Sequence, residues 1–385
     1  MINESLLEFC ESEPQKRSVQ ARIDTRTAQE AADLIGVSLR NLNRNIANVK
    51  KNAARRGWSP EHDMTRTVPD GFVAKGVSTL YGDDGQVKIQ WVKSNLAHED
   101  QLEAVKNAID TFVEHQKGKS PFVPKPQKKV KGNELAVVNI GDSHFGMLAS
   151  ESISGDDYNL EIAAQRHKDV FMRLMNNAPE CETIVINQLG DFFHSDNFES
   201  TTTKGTRVDT DGHLEEIFAV GLEVLSFITE EALKRYKNVI VRHVKGNHDS
   251  VLSMAIKAHQ QAYWRNNKRV KIEMSDAPCW VFEWGKTAFL VSHGHAPKPN
   301  KLAEYFTAKY PEIWGRTRHR YCWHGHIHSK HATIETYGGC ITESFAGLPS
   351  SDKWHNEQGY VSGQSMCLIV LDKEKGEVRR STERL

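Results

Sequence analysis

Five short runs dominated by apolar residues, Leu135–Ile140, Thr183–Leu189, Asn238–Val244, Thr287–Ser292 and Tyr321–Trp323, recur along the C-terminal part of the chain. Their length and their Val, Ile and Leu content predict buried strands. Between them, Tyr158–Asn176, Gly212–Tyr236 and Ser250–Asn266 carry apolar residues at helical spacing. Strands alternating with helices make this an α/β domain. Ala332–Thr336, Cys340–Phe345 and Ser365–Leu371 read as further strands, and no internal repeat is visible.

The N-terminal part has a different rhythm. Small and apolar residues at Ala28, Ala31, Ala32 and Ile35 predict a helix, Gly36 a turn, and Leu39, Leu42, Ile46 and Val49 a second helix. This is a helix-turn-helix pattern. Phe72–Trp91, with GDDG at Gly82–Gly85, predicts a β-hairpin that could form a wing, and His98–Glu114 predicts another helix. The stretch KGKSPFVPKPQKKVKG, residues 117–132, has three prolines and six lysines and predicts an extended, solvated tether. The expected organisation is therefore a helical region over 1–116, a linker over 117–132 and an α/β domain over 133–385.

Whole-chain charge adds nothing, since Lys+Arg and Asp+Glu are equal at 50 each. Its distribution does: the second predicted helix carries Arg40, Arg44, Lys50, Lys51, Arg55 and Arg56, with asparagines between them and no acid from Ser38 to Arg56. Such a face suits phosphates, and Arg or Asn can also read base edges. A solvated face or one that docks protein is the plainer reading. Met1–Arg17 lacks the apolar core of a secretory signal, and no later run approaches a membrane span. The six cysteines are scattered without a CxxC pair, which fits reduced thiols in the cytoplasm.

The chemistry lies where the strands end. Asp142 and His144 follow the first strand in GDSHFG, and Asp191 and His194 follow the second in GDFFHSD. Asn247, His248 and Asp249 follow the third in GNHDS, with an N-cap as the bland role for Asp249. His293 and His295 close the fourth in SHGH, and either could be its ligand; His324, His326 and His328 alternate in the fifth. In open α/β sheets the ends of strands converge on one site. Imidazole, carboxylate and amide oxygen without thiolate suit a borderline or harder ion such as Mn, Fe or Zn.

The ordered set DSH, GDFFH, GNHD, HG and GHIH, covering residues from about 134 to 345, resembles the signature of the calcineurin-like metallophosphoesterases. That resemblance implies a four-layer β-sandwich flanked by helices. It also implies two divalent ions, Mn as first choice. Asp142, His144, Asp191 and His328 would hold one ion, and Asp191, Asn247, His293 and His326 the other.

GDFFH and DSHFG are similar to motifs of the double-strand-break repair nucleases, in which two histidines outside the metal shell serve phosphodiester cleavage. His194 and His248 take those places here. An acid in a GDxxDRG stretch, the protein-phosphatase pattern, is absent. With the basic helix this points to a nuclease, DNA favoured over RNA. A phosphodiesterase or phosphatase for small cyclic nucleotides, its N-terminal module docking protein, is the alternative. A non-catalytic scaffold would be expected to have lost ligands, and none is lost. No helical ATPase-docking segment is evident after His328, which argues against an ATPase partner. The pairing of the two parts also resembles chains of tailed bacteriophages, which would place the protein in a bacterial or infected host cell.

Overall fold

The computed structural model describes residues 3–69, 72–82, 86–96, 114, 116–127, 130, 132–328, 334–336, 339–350 and 363–385. The chain divides into two compact units, Met1–Asp110 and Thr111–Leu385.

The first unit is built on α1 (Glu13–Asp24), α2 (Ala28–Ile35) and α3 (Leu39–Arg55). Thr27 and Glu30 form a capping box that starts α2, and Gly36, at φ 70°, ends it in the left-handed region that glycine adopts without strain. Ser38 accepts from Asn41 N and starts α3. The helix, turn and helix of the sequence pattern are thus present. α1 was not anticipated, nor was the burial of Leu6 and Phe9 ahead of it, which pack with Val19, Val49 and Ala53. A short bridge, β1 (Trp58–Ser59) with β2 (Met64–Thr65), precedes the ribbon β3 (Phe72–Tyr81) and β4 (Val87–Leu96). Asp83–Gly85 of the predicted turn, and nearly all of the predicted helix at 98–114, lie outside the described residues.

In the second unit the strands are β5 (Glu134–Ile140), β6 (Thr183–Gln188), β7 (Asn238–His243), β8 (Val270–Glu273), β9 (Cys279–Trp284), β10 (Thr287–Ser292), β11 (His319–His324), β12 (Ile334–Thr336), β13 (Cys340–Ser344), β14 (Ser365–Asp372) and β15 (Gly376–Arg384). The helices are α4 (Glu151–Ser154), α5 (Leu160–Asn176), α6 (Leu214–Arg235), α7 (Leu252–Tyr263), α8 (Leu302–Lys309) and α9 (Pro311–Arg316). One sheet has the order β15-β14-β5-β6-β7-β8, the other β12-β13-β11-β10-β9. Strands β5 to β8 run parallel, as do β10, β11 and β13.

Leu135, Val137, Val185, Phe289, Val291, Trp323, Ile369 and Leu371 share a core that joins the two sheets. Beyond the second sheet, Leu290 and Cys322 pack with Leu302 and Phe306 of α8. Helices α5, α6 and α7 lie on the first sheet. The result is four layers, helix, sheet, sheet and helix. Central strands covered on both faces must be apolar at every position, which is why their runs are continuous rather than alternating. Among the described residues no helix is long and apolar enough to cross a membrane.

The tether at 117–132 needs correction. It is extended where described, without helix or strand, but its first half is not free in solvent. Gly118 N and Ser120 N donate to Ala262 and Tyr263 carbonyls, Arg269 Nη1 donates to Val123 O at 2.8 Å, and Val123 is buried. Extended backbone keeps its polar groups available, and here the end of α7 and Arg269 satisfy several of them.

Candidate metal centre

The site forms at the C-terminal ends of five parallel strands, three from the first sheet and two from the second. Close passage of these loops requires glycine. A Cβ on Gly246 would sit 2.0 Å from Asp191 Oδ1, and one on Gly190, at φ 100°, would sit 2.5 Å from His293 Nδ1. His144, Asp191, His326 and His328 themselves take positive φ, at 44°, 47°, 71° and 57°. Each such residue costs on the order of 1–3 kcal/mol, and the cluster of four concentrates that strain at the strand ends.

Two groups of side chains result, and a third, His144 with His194 and His248, overlaps the first. Asp142, His144 and His328 offer ligand atoms all within 4.8 Å of one another, as do Asp191, His293 and His326. In the first, His328 Nε2 is 3.0 Å from Asp142 Oδ2 and 3.1 Å from His144 Nε2. In the second, His293 Nε2 is 3.0 Å from both Asp191 Oδ2 and Asn247 Oδ1. His293 Nδ1 faces Leu189 O at 2.9 Å, which fixes the ring with Nε2 towards the group. All seven residues proposed as ligands from the sequence are therefore gathered, and of the two histidines in the fourth motif it is His293 that lies with Asp191 and His326. His324 does not join them. It is the last residue of β11, its Nδ1 lies 2.8 Å from Gly325 O, and the positive φ of His326 breaks the alternation that would have put three histidines on one face.

His194 and His248 stand beside the first group. His144 Nδ1 is 3.1 Å from His194 Nδ1, and the His144 and His248 rings are 4.8 Å apart. His248 Nδ1 lies 2.9 Å from His194 O. Asn247 meets His293 while its neighbour His248 meets His144, so the adjacent side chains diverge.

The electrostatics favour bound cations. Burial, with the neighbouring His248, His328 and His194, holds His144 well below the ordinary histidine pKa, so its lone pairs are open. Burial alone would lower His293 too, but Asp191 and Asp142 outweigh it and raise its pKa to about 10. A pocket that attracts a proton so strongly attracts a divalent ion for the same reason. Burial opposes the charge on Asp191, yet His293 outweighs it and holds the carboxylate well below its usual range. Asp191 also acts on His144 and His328 of the other group. The donor set, buried and rich in imidazole and carboxylate, fits two divalent ions.

No family model matches the chain, and no curated protein matches it. Solved structures similar to it include a dimetal phosphatase from Danio rerio, at 10% identity and a TM-score of 0.35, over 65% of this chain and 98% of that one. A protein of Streptococcus pneumoniae described as a predicted phosphoesterase is 12% identical with a TM-score of 0.27, over 66% and 98%. Zinc-bound Vps29 from Entamoeba histolytica is 14% identical with a TM-score of 0.27, over 65% and 98%. Likeness at this level carries no argument about activity, which has to come from the site.

Two residues with no assigned role complete the site's support. Asp249 Oδ2 accepts from Phe192 N at 2.8 Å and Phe193 N at 3.1 Å, so it fastens the turn carrying Asp191 and His194 instead of capping α7. The cap comes from Asp196, which accepts from Val251 N and Leu252 N at 2.9 Å and from Thr203 Oγ1 at 2.6 Å. Both acids sit in the quoted motifs, but nothing in a linear sequence says which backbone amide a carboxylate will meet. The polar stretch after Asn197 is hydrogen-bonded to the end of the first motif and the residues just past it, through Asp211 N to Gly146 O and Leu148 N to Asp209 O.

Proposed function

We propose that the chain is a two-metal phosphodiesterase that cleaves DNA. The observation that carries the reading is the convergence of two carboxylate and imidazole groups, linked by the field of Asp191, with two further histidines alongside. Asp142, His144, Asp191 and His328 would hold one divalent ion, and Asp191, Asn247, His293 and His326 the other, Mn being the first choice and Zn or Fe the alternatives. When bound, such a pair supplies Lewis acidity towards a phosphoryl group. The chain supplies the rest. His194 O orients His248, whose Nε2 can hand a proton to a leaving oxygen, and His194 adds a second imidazole at the developing charge.

DNA as substrate is supported by α3. Arg40, Arg44, Lys51 and Arg55 are exposed and recur at intervals of four, seven and four, which on a helix places them in one stripe opposite buried Leu42, Ile46, Val49 and Ala53. The other two sequence candidates are engaged within the unit. Lys50 Nζ pairs with Glu61 at 3.4 Å, and the half-buried Arg56 lies over the Phe9 ring. Four phosphate contacts instead of six give a salt dependence of binding with a log-log slope of about −3.6.

The test is to load the protein with Mn and measure hydrolysis of duplex and single-stranded DNA, RNA and cyclic nucleotides, and duplex binding across a salt series. DNA cleavage abolished by chelator, and a slope shallower by about 2 in the Arg40→Ala, Arg44→Ala variant, are expected. Turnover of cyclic nucleotides alone, with an unchanged slope, would replace the DNA reading with the small-nucleotide one.

A further inference from the structure

The ribbon of β3 and β4 has one face on the body of its unit and one in solvent. Gln90 Nε2 donates to Asp63 O at 2.5 Å and to Thr79 Oγ1 at 3.0 Å, and the Tyr81 hydroxyl donates to Asp63 Oδ2 at 2.5 Å. Those side chains therefore meet the turn that precedes β2. Alternate side chains of a strand point to opposite faces. The register pairs Ser78 with Trp91 and Leu80 with Ile89, so these four, with Lys93, lie on the other face. That face is uncovered, with Trp91 56% exposed, Leu80 48% and Ile89 44%.

Trp91 is at the centre of this face, and nothing large on β3 stands beside its ring. Its cross-strand partner is a serine, and the position opposite Lys93 is Gly76, where an added Cβ would meet no atom within 4 Å. Among the described residues Trp91 has no ring contact, and Lys75, Lys88 and Lys93 have no ion pair. The charge of the ribbon has one sign, since β3 and β4 carry these three exposed lysines and no acid. A second copy docked on the face would bring like charges together. A flat apolar ring among cations suits a partner that combines π-faces with negative charge, and a nucleic acid strand does so. Bases inside a duplex already stack on one another, so a ring at the surface meets only unpaired ones.

We propose that the outer face of this ribbon binds single-stranded DNA, with Trp91 stacking on an unpaired base and Lys93 meeting a neighbouring phosphate. Leu80 and Ile89 continue the apolar surface beyond the ring. The inference rests on DNA as the substrate and narrows it to DNA with an unpaired stretch. The basic stripe of α3, in the same unit, suits the phosphates of either form, whereas the ribbon responds only to bases that are free.

The probes are an oligothymidine of about 15 nucleotides and an abasic deoxyribose phosphate strand of the same length. Affinity is measured at equal salt for the full chain loaded with Mn, and again in chelator, where no hydrolysis intervenes. The wild type should bind oligothymidine about tenfold more tightly than the abasic strand. Trp91→Ala should weaken oligothymidine binding about five- to hundredfold and leave abasic binding unchanged, with partial rescue by Trp91→Phe. Lys93→Gln should make the salt slope for oligothymidine shallower by about 0.7. Equal wild-type affinity for the two strands, or a Trp91→Ala variant that loses both alike, overturns the surface. So does a Trp91→Ala variant that loses binding to phosphatidylserine vesicles, or dimerisation in gel filtration, while still holding oligothymidine. Base-dependent binding without hydrolysis of any strand overturns the DNA-cleavage reading and leaves the surface standing.

Discussion

Replacing Asp249 separates its acceptor role from its charge. The residue is fully buried, and its Oδ2 receives the amides of Phe192 and Phe193. Those phenylalanines are themselves fully buried, Phe192 stacking on Phe145 at 4.7 Å, so water cannot replace the carboxylate. Asp249→Ala leaves two buried N–H groups without acceptors. At about 1–3 kcal/mol for each, the expected loss is about 2–6 kcal/mol. Burial and then the charge of Asp191 raise the pKa of Asp249 well above its usual range, which favours the neutral acid over the carboxylate in the metal-free protein. Asn is then a close mimic, with an acceptor oxygen and a donor in place of the acid proton. Asp249→Asn should therefore lie within about 1 kcal/mol of wild type. Urea unfolding of the metal-free full chain measures both variants. Mn affinity should fall in the Ala variant, because the loosened turn carries Asp191 and His194. An Ala variant within about 0.5 kcal/mol of wild type, or an Asn variant as damaged as Ala, would refute the reasoning.

Asp191→Ala should abolish binding of both ions, and elemental analysis after gel filtration checks it; two ions retained per chain would contradict its bridging place. His248→Ala and His194→Ala should each lower turnover by about two orders of magnitude with metals retained, and loss of metal from the His248 variant would make that residue a ligand. Stability should also decline in mild acid. Burial depresses the pKa of His243 to about 3 and of His167 to about 4, against an ordinary value of 6.5. Below 6.5 the unfolded chain takes up protons that the folded one refuses, so stability is complete above that pH and falls as the pH drops towards 4 and 3. Urea unfolding at pH 7.5 and pH 5 should differ by about 2 kcal/mol for each of these histidines, and His243→Gln should lessen the difference. An identical pH dependence in wild type and variant would remove His243 from this account.

Sequence alone determined the strands that carry the site. Central strands covered on both faces must be apolar throughout, so β5, β6, β7 and β10 were legible to within a residue or two, and the polar residues at their ends could be named as candidates. The helix and turn at α2 and α3 were legible because their caps are local, Thr27 with Glu30 and then Gly36.

What sequence did not disclose depends on contacts made far along the chain. β15 is a charged edge strand whose sequence, GEVRRSTER, has no buried face to impose a pattern, and it exists because β14 pairs with it. β9 was hidden because its aromatic residues take their place only against β10 and the inter-sheet core. The same holds within the site. The placing of His293 with Asp191 and His326, the exclusion of His324, and the attachment of Asp249 to the Phe192 and Phe193 amides were decided by loop paths that bring residues from five strands together. Local spacing has no access to those paths, because backbone strain at His144, Asp191, His326 and His328 is tolerated only once the whole fold holds it.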